Sequence, residues 1–491
     1  MDFISVYIRE QKRYTKNELL KMFRFNENEI EKFLKELKSY GILKAVKNEP
    51  GQKDLTELNE EDIEITDDTL ANDELYYVFT FVGVITFGNR VLKCYPKYIS
   101  SLEPYEEVKQ VLKVLNRYSA SEQMIKMFNG DEKKGSFNLL SVILYLMQDY
   151  YENGIYSNSE DVVEINGEGN ILWNQTISDG FAIINENEPY YVELFTQHSI
   201  DDEYDYFTRL HKVILTECSK QLDEAGLLGL FEFDSLELSE ETLDDFGETE
   251  YILYKLQSEL NVQYNTRRQL LLKSIYAYVS QQKTLTDQSC ISLFGTTSFN
   301  LVWEKVCAEV FDNKLSTPIG KIKLPVPLCP NYKKEVKLID IIEKPQWVGN
   351  GSNGSFVKES QETLTPDLIG VYNVDGEWYF VIYDAKYYCI QLEENKVLRG
   401  QPGIGDVTKQ YLYQRAYGKF IADHSINRIR NCFLMPTEKD EVVELGYARL
   451  EMLESLGLEN IAIRLMPAKY MYHCYLENKR LTFKDALLWG G

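Results

Sequence analysis

This sequence contains few histidines and no closely spaced pair of cysteines. Only four of its 491 residues are histidines, and none stands at the spacing of a metal site. Chemistry that depends on a histidine base is therefore disfavoured. The eight cysteines are scattered without a C-x-x-C pair, which leaves a zinc or iron–sulfur site without support. A disulfide framework is unexpected in a chain of this size, so we expect reduced thiols in a bacterial-type cytoplasm.

Long apolar runs are also missing. No stretch approaches the roughly 20 apolar residues that cross a bilayer. The first residues, MDFISVYIREQKRY, lack the apolar core of a signal peptide. We therefore expect a cytoplasmic protein that makes no contact with a membrane.

Negative charge is in excess, but it is concentrated in the middle of the chain. The formal net charge is -24. Residues 54–290 carry 17 basic and 44 acidic residues, whereas residues 1–53 have a net charge of +4 and residues 291–491 a net charge of -1. A strongly acidic surface repels nucleic acid, so only the two ends of the chain are suited to meet DNA.

The length of the chain predicts several domains, because 491 residues exceed one ordinary hydrophobic core. A hydrophobic content of 44% is that of a globular protein. We predict an α/β multidomain protein. Its four parts are a winged-helix-like module (1–53), an acidic linker plus a β-hairpin turning at Gly88-Asn89 (54–100), an acidic, mainly helical middle domain with some β structure and a role in partner docking (101–290), and a C-terminal domain (291–491).

Two helices, a turn and a strand are predicted near the N terminus by TKNELLKMFRFNENEIEKFLKELKSYGILKAV. Thr15 and Glu18 form a capping box for the first helix, and Asn26 caps the second. A helix–turn–helix followed by a strand is typical of a winged helix, which would bring basic side chains to DNA. The alternative is a solvated helix face in a protein–protein module. The residues predicted to contact DNA are Lys32 and Lys35.

The strongest hairpin signal lies at Asp375-Gly376, because a type I′ turn needs positive φ at both central residues. If these two form the turn, the numbers of directly paired residues add up to 751, and Asp367 and Asp384 are such a pair. Their carboxylates would then face each other on one side of the sheet. Lys386 returns to that side, two residues after Asp384.

Facing carboxylates destabilise a sheet, and apolar neighbours raise the cost, because ions resist leaving water unless they are paired or bind a metal. A divalent cation that bridges Asp367 and Asp384 resolves this conflict, and hard oxygen ligands suit Mg²⁺ (or Mn²⁺). The alternative is structural, with Lys386 simply pairing with the acids at an exposed end of the sheet. The residues alone leave both interpretations open.

The order PD, spacer, DAK resembles the PD-(D/E)XK motif of metal-dependent nucleases. The preceding FNLVWEKVCAEVF resembles the helix of this superfamily whose glutamate reaches the metal site, which implies a metal-site role for Glu304. The later DVTKQYLYQRAYGKF resembles the glutamine-bearing helix beside the active site in RecB-like and McrC-like nucleases. The glutamine that positions water or phosphate would then be Gln410 or Gln414. On the same helix, Lys409 and Arg415 could meet the phosphate backbone.

A wider set of segments resembles the LlaJI-type restriction endonucleases, which are relatives of McrC. These segments are VIYDAKYY, the VWEKV helix and the upstream GNILWNQTI. The resemblance is strongest over about 290–436 and implies a C-terminal PD-(D/E)XK core with a mixed sheet flanked by helices. It also implies an McrB-like AAA+ GTPase as partner, since the chain has no G-x-x-x-x-G-K-[ST] loop of its own. A strict Gln-x-x-x-Tyr signature is absent, because Gln414 stands where the tyrosine would be.

The predicted function is Mg²⁺-dependent hydrolysis of double-stranded DNA by a restriction endonuclease subunit, in defence against foreign DNA. Asp367, Asp384 and Glu304 would hold the metal. Lys386 would orient or activate the attacking water and stabilise the transition state. A homo-oligomer is compatible with this prediction. Two other classes stay open: a DNA-binding regulator, and a structural subunit with an inactive nuclease fold. A glycosidase with two close carboxylates would leave Lys386 without a role.

Overall fold

The structure is a computed structural model of the chain. The residues it describes are 3–47, 75–119, 138–157, 159–185, 188–201, 204–281, 284–285, 291–351, 354–454 and 456–481. The predicted acidic linker at 54–74 lies outside the described residues.

Strands and helices are numbered here in chain order. The strands of the described residues are β1 (Ile4–Arg9), β2 (Arg13–Thr15), β3 (Leu43–Lys47), β4 (Leu75–Phe79), β5 (Val82–Phe87), β6 (Arg90–Tyr95), β7 (Ser159–Ile165), β8 (Asn170–Ile171), β9 (Ala182–Asn185), β10 (Glu188–Tyr191), β11 (Phe195–Asp201), β12 (Ile291–Thr296), β13 (Gln346–Gly351), β14 (Gly354–Glu359), β15 (Leu368–Val374), β16 (Glu377–Ala385), β17 (Arg428–Thr437), β18 (Val443–Ala448) and β19 (Ile461–Pro467).

The α-helices of the same residues are α1 (Lys16–Phe23), α2 (Glu27–Ser39), α3 (Tyr105–Ser119), α4 (Leu139–Asn153), α5 (Trp173–Asp179), α6 (Tyr206–Glu224), α7 (Leu228–Phe231), α8 (Thr249–Val262), α9 (Thr266–Gln281), α10 (Phe299–Val310), α11 (Ile404–Asp423), α12 (Glu451–Glu454) and α13 (Ala468–Leu476).

The chain divides into two compact units. The terminal unit consists of Ile4–Ile85, Arg90–Lys126 and Phe294–Gly491, and the middle unit of Met1–Phe3, Thr86–Asn89 and Met127–Leu293. Both units contain helices and strands, so the predicted mixed α/β class is confirmed. The four-part division made from the sequence stays a prediction.

The N-terminal segment folds as its capping signals predict. The Thr15 side chain accepts a hydrogen bond from the backbone N–H of Glu18, and the Glu18 carboxylate accepts one from the backbone of Thr15, at the start of α1. Asn26 and Glu29 form the same reciprocal box at the start of α2. The strands of this segment form a three-stranded antiparallel sheet in the order β2-β4-β3. The element order is therefore that of a helix–turn–helix followed by a β-sheet.

The hairpin predicted to turn at Gly88-Asn89 is present. β5 ends before this pair and β6 begins after it, and Gly88 has a φ of 56°. The two strands are neighbours in a four-stranded sheet of order β1-β6-β5-β12, in which β1 runs parallel to β6.

The largest sheet lies in the terminal unit and has the order β15-β16-β17-β19-β18. β16, β17 and β19 run parallel, whereas β15 and β18 are antiparallel to their neighbours. β16 is buried from Tyr379 to Ala385, as expected for a strand covered on both faces. The sheet is therefore mixed and its central strands are interior.

Side chains from outside the sheet cover both of its faces. On one face, Tyr417 of α11 packs against Phe380, with ring centres 5.1 Å apart. On the other, Phe311, directly after α10, stacks on Tyr383 at 5.2 Å. Phe380 and Tyr383 are an odd number of residues apart on β16, so their side chains point to opposite faces.

In its described residues, the middle unit consists mainly of helices with two small sheets, β7-β11-β8 and β10-β9. Arg267 of α9 donates to the buried Asp149 carboxylate of α4, with an N–O distance of 2.7 Å. Apolar side chains near β9 stay in solvent, among them Phe181 (78% exposed) and Ile184 (73% exposed). In the part of the chain that the structure describes, no helix is long and apolar enough to cross a membrane.

Candidate active site

β15 and β16 form the hairpin that the sequence predicts. Asp375 and Gly376 occupy its turn with φ values of 50° and 89°, the left-handed region that a type I′ turn requires. The ladder extends from this turn to the pair Leu368 and Tyr383. The numbers of each pair add up to 751, so the predicted register is confirmed.

Asp367 directly precedes β15, and Asp384 directly follows Tyr383 on β16, so the two acids lie just beyond this last pair. Asp367 Oδ2 accepts a hydrogen bond of 2.9 Å from the backbone N–H of Ala385, and each of the two carboxyl groups shifts the pKa of the other. Burial raises the pKa of Asp384, which is 5% exposed, and the adjacent Asp367 raises it further. Burial likewise raises the pKa of Asp367. The pair therefore holds a proton more tightly than ordinary aspartates do.

Lys386 lies on the same side as Asp384. Its Nζ is 2.9 Å from Asp384 Oδ1 and 3.1 Å from Asp406 Oδ1. Burial by itself would lower the pKa of Lys386, but the charges of Asp384 and Asp406 outweigh it and raise this pKa above that of an ordinary lysine. The ammonium group therefore remains protonated beside the carboxylate pair.

Asp406 is a site residue that the sequence interpretation missed. It lies in the first turn of α11, four residues before Gln410 and seven before Tyr413, a spacing that places the three on one face of a helix. The Tyr413 hydroxyl donates to Thr365 O at 2.9 Å. Burial, followed by the nearby aspartate charges, raises the pKa of Tyr413 to about 12. The helical spacing was the signal that could have identified both residues.

Glu304 reaches the neighbourhood of the site from α10. The preceding Trp303 fixes this helix to β17, because its Nε1 donates to Leu434 O at 3.0 Å. Burial raises the pKa of Glu304, while the Lys386 charge lowers it and the Asp384 charge raises it. Glu304 therefore lies within electrostatic range of both residues.

The donor set of the site consists of two adjacent carboxylates and a more distant third. Among the described residues, no three His, Cys, Asp or Glu side chains are grouped closely enough to hold a metal ion together. Asp367 and Asp384 are the adjacent pair, and the charge of Glu304 raises the pKa of Asp367.

Both predicted glutamines are buried, and both contact other parts of the sheet region. Gln410 Nε2 donates to Ile382 O at 2.8 Å. Gln414 Oε1 accepts from Asn431 Nδ2 at 2.8 Å and from the backbone N–H of Glu459 at 2.9 Å. Gln410 thus holds β16 two residues before its catalytic candidate, whereas Gln414 holds β17 and the segment before β19.

The four basic residues predicted to contact DNA are all exposed. Lys32 and Lys35 lie on α2, and Lys409 and Arg415 lie on α11. Their side chains are therefore accessible to a polyanion.

A buried polar cluster, which we call the Glu10 clamp, holds the residue that follows Lys386. The Tyr387 hydroxyl donates to Glu10 Oε2 at 2.5 Å, and the backbone N–H of Lys97 donates to the same oxygen at 3.3 Å. Lys97 Nζ lies 4.5 Å from the centre of the Tyr387 ring. Burial raises the pKa of Glu10. The residue that follows β1 and a residue two positions beyond the end of β16 are thus joined directly.

Comparison with known proteins agrees with the sequence motifs. The profile of the LlaJI restriction endonuclease family matches residues 81–466. The chain is 26% identical over 419 residues to the type II restriction enzyme BsuMI component YdjA of Bacillus subtilis (strain 168), covering 83% of each protein.

Two solved assemblies from Thermococcus gammatolerans are also similar. One is a half-complex of McrB AAA+ hexamers with bound McrC, with a TM-score of 0.37 and 12% identity, covering 96% of this chain and 99% of that one. The other is an McrBC complex, with a TM-score of 0.26 and 10% identity, covering 61% and 85%. The family profile spans most of the sequence, and the chain therefore belongs to the LlaJI restriction endonuclease family.

Proposed function

We propose that this chain is the nuclease subunit of a restriction system and hydrolyses phosphodiester bonds of double-stranded DNA with the help of Mg²⁺ or Mn²⁺. The observation that carries the proposal is the carboxylate pair of buried Asp384 and half-buried Asp367, with Lys386 Nζ 2.9 Å from an oxygen of Asp384. Membership of a restriction endonuclease family supports DNA as the substrate. The PD-(D/E)XK interpretation of the core is part of this proposal.

The donor set suits a magnesium-type ion. Mg²⁺ is usually held by one or two carboxylates, with water and substrate phosphate completing its coordination. Asp367 and Asp384 would hold the ion directly, in place of the proton that their raised pKa values favour, and Glu304 would act through water. When bound, such an ion lowers the pKa of a coordinated water and neutralises charge on the scissile phosphate.

Lys386 contributes fixed positive charge beside the acids. Because its pKa is raised, it cannot take a proton from water at neutral pH. We therefore assign it electrostatic stabilisation of the phosphate as the water oxygen bonds to phosphorus and the ester oxygen leaves. Asp406 holds the ammonium group from α11. We assign to Glu304, whose pKa is raised by burial, the role of accepting the proton that the water loses.

Gln410 is the glutamine that serves the site in this proposal. Its bond to Ile382 O fixes β16 close to Asp384, so it acts as a positioning residue. The contacts of Gln414 with Asn431 and Glu459 give it a role in the sheet.

The experiment measures plasmid cleavage with Mg²⁺, with and without GTP and an McrB-like GTPase subunit. Asp384→Ala and Lys386→Ala should each lower the cleavage rate by a factor on the order of 10² to 10³ or more, since each removes transition-state stabilisation. Asp440→Ala is the matched control, because Asp440 is exposed and lies outside the site.

The melting temperatures of all three variants should match that of the wild type within a few degrees. Undiminished nicking or cutting by folded Asp384→Ala protein would exclude the proposed chemistry.

We also propose an McrB-like AAA+ GTPase as partner, on the basis of the McrC-like sequence features and the missing phosphate-binding loop. The acidic middle unit is the docking candidate, because apolar side chains around β9 are exposed there. Phe181→Ser with Ile184→Ser should weaken co-purification with the GTPase subunit, whereas Tyr447→Ser, an exposed change in the terminal unit, should not. Equal co-purification of all variants would exclude this surface.

The N-terminal helix–turn–helix is a proposed DNA contact. Lys32 and Lys35 are exposed on α2 and belong to the net-basic end of the chain. Replacing both with glutamine should reduce the salt dependence of DNA binding by about one to two phosphate contacts.

A further inference from the structure

A second basic region lies inside the terminal unit, between α10 and β13. Residues 315–344, which we call the lysine lobe, contain six lysines and three acids. All six lysines are exposed, and none has an ion-pair partner among the described residues. They are Lys321, Lys323, Lys333, Lys334, Lys337 and Lys344.

The fold brings lysines from the two ends of the lobe together. The backbone N–H of Ile319 donates to Val336 O at 2.7 Å, and that of Gly320 donates to Lys334 O at 3.0 Å. A Cβ on Gly320 would come within 2.7 Å of the Lys334 Cβ, so the two segments touch here. Lys321, which follows Gly320, therefore lies on a segment that contacts the segment of Lys334, and the exposed lysines of both segments belong to one surface.

The lobe is fixed to the sheet that carries the carboxylates. Buried Ile319, Leu338 and Ile342 belong to the same apolar cluster as Ile382 of β16. Asp384 follows Ile382 by two residues and so points to the same face. The Tyr417 hydroxyl of α11 also donates to Leu338 O, at 3.1 Å. The lysines are thus mounted on the face of the sheet that contains the candidate site.

The lobe leads into an exposed two-stranded ribbon, β13–β14. Gly349 lies opposite Phe356, whose ring occupies the space of the missing side chain. Trp347 (69% exposed) projects from the same face, and Val348 (67% exposed) from the other. A two-stranded ribbon with both faces in solvent is marginally stable alone, so a ligand or partner is expected to cover it.

The base of the ribbon is tied closely to the site. The backbone N–H of Ser360 donates to Pro345 O at 2.8 Å, and the Thr363 hydroxyl donates to Glu343 O at 2.7 Å. Two residues later, Thr365 O accepts the hydrogen bond from Tyr413. Asp367 lies two residues after Thr365. A short, hydrogen-bonded stretch of chain therefore connects the ribbon to the first carboxylate.

We propose that the lysine lobe and the β13–β14 ribbon together bind duplex DNA beside the carboxylate pair, with the lysines on phosphates and the ribbon in a groove. The major groove of B-DNA admits a two-stranded ribbon, and unpaired lysines match the phosphate backbone. Membership of a restriction endonuclease family favours DNA over an acidic protein surface as the polyanion that these lysines bind. The inference rests on the proposed nuclease function and names the surface that delivers its substrate.

The test is DNA binding by the full chain in EDTA, which separates binding from cleavage. Fluorescence anisotropy of a labelled duplex is measured between about 50 and 200 mM salt. In the lobe variant, Lys333, Lys334 and Lys337 are each replaced by glutamine. Its affinity should fall about tenfold or more, and the salt slope should decrease by about two to three. In the matched control, three exposed lysines outside the lobe, Lys396, Lys439 and Lys469, are replaced by glutamine in the same way. This control should bind DNA as the wild type does.

The ribbon has its own variant, Trp347→Ala with Phe356→Ala. Its affinity should fall several-fold with an unchanged salt slope, because no charge is removed. Unchanged DNA affinity in the lobe variant overturns the proposal. This holds also if the lobe variant loses its association with the GTPase subunit while its DNA affinity stays the same. Unchanged affinity in the ribbon variant overturns the role of the ribbon. Lobe-dependent binding by a wild-type chain that never cuts plasmid with Mg²⁺ and its partner would instead refute the nuclease function.

Discussion

Two antiparallel hairpins of the terminal unit lie next to each other in the sequence and differ in almost everything except their pairing. β15–β16 is interior, and facing acids lie at its open end. β13–β14 is exposed on both faces and has a single carboxylate, at Glu359. The two hairpins therefore share their backbone pairing and differ in burial. In the interior hairpin, a charged side chain needs an ion-pair or metal partner. In the exposed hairpin, the apolar side chains need a binding partner that covers them.

The comparison separates a site that reacts from a surface that binds. In the interior hairpin the environment raises the pKa values of Asp367 and Asp384. In the ribbon, the side chains of Trp347 and Val348 remain in contact with water. The largest expected change in the free energy of unfolding comes from removing a packed side chain, and smaller changes come from altering single polar groups.

Removing a buried side chain from one hairpin should cost far more than the same removal from the other. Ile382→Ala should lower the free energy of unfolding by about 2–5 kcal/mol, because it leaves a cavity in the sheet core. Val357→Ala on the exposed ribbon should change it by less than about 0.5 kcal/mol. Urea unfolding followed by circular dichroism measures both, and equal losses would break the comparison.

Removing a hydroxyl group beyond the end of β16 should lower the free energy of unfolding more than changing an exposed aromatic ring of the ribbon. Tyr387→Phe removes the hydrogen bond to the buried Glu10 carboxylate and should cost about 1–3 kcal/mol of unfolding free energy. The matched change, Trp347→Phe on the ribbon, should be close to neutral. If both variants unfold at the wild-type urea concentration, the Glu10 clamp does not stabilise the strand.

The acid pair should also leave a mark on the pH dependence of stability in metal-free buffer. Because the pKa of Asp384 is raised in the folded chain, the folded state retains a proton that the unfolded state has lost. The stability of the wild type should therefore fall, relative to Asp384→Asn, as pH rises from about the ordinary aspartate value of 3.8 towards the raised value. The slope is at most about 1.4 kcal/mol per pH unit for one proton.

This pH effect is measured as the difference between the two unfolding free energies across the pH range. Asp440→Asn is the control and should follow the wild type. A wild-type curve parallel to that of Asp384→Asn would mean that Asp384 does not retain a proton in the folded state.

Local signals predicted several parts of the structure correctly. Asp375-Gly376 fixed the turn and, with it, the register that brings Asp367 opposite Asp384. Side-chain caps at Thr15 and Asn26 marked the starts of two helices. Each of these features depends on residues a few positions apart, so sequence spacing was sufficient.

Contacts between distant segments were missed, because spacing does not encode them. The ion pair of Asp406 with Lys386 depends on how α11 lies over β16. The Glu10 clamp joins residues 377 positions apart. The ribbon was missed for another reason: its glycines and exposed apolar side chains resemble neither an amphipathic strand nor a polar loop.

The central claim is that a divalent cation makes the adjacent carboxylates of buried Asp384 and half-buried Asp367 tolerable. Isothermal titration of the full chain with Mn²⁺, comparing the wild type with Asp384→Asn and the exposed-site control Asp440→Asn, tests it most directly. The wild type and the control should each bind the ion at one site, and Asp384→Asn should bind it at least about tenfold more weakly. Equal Mn²⁺ affinity in all three proteins, or none in the wild type, would contradict the claim.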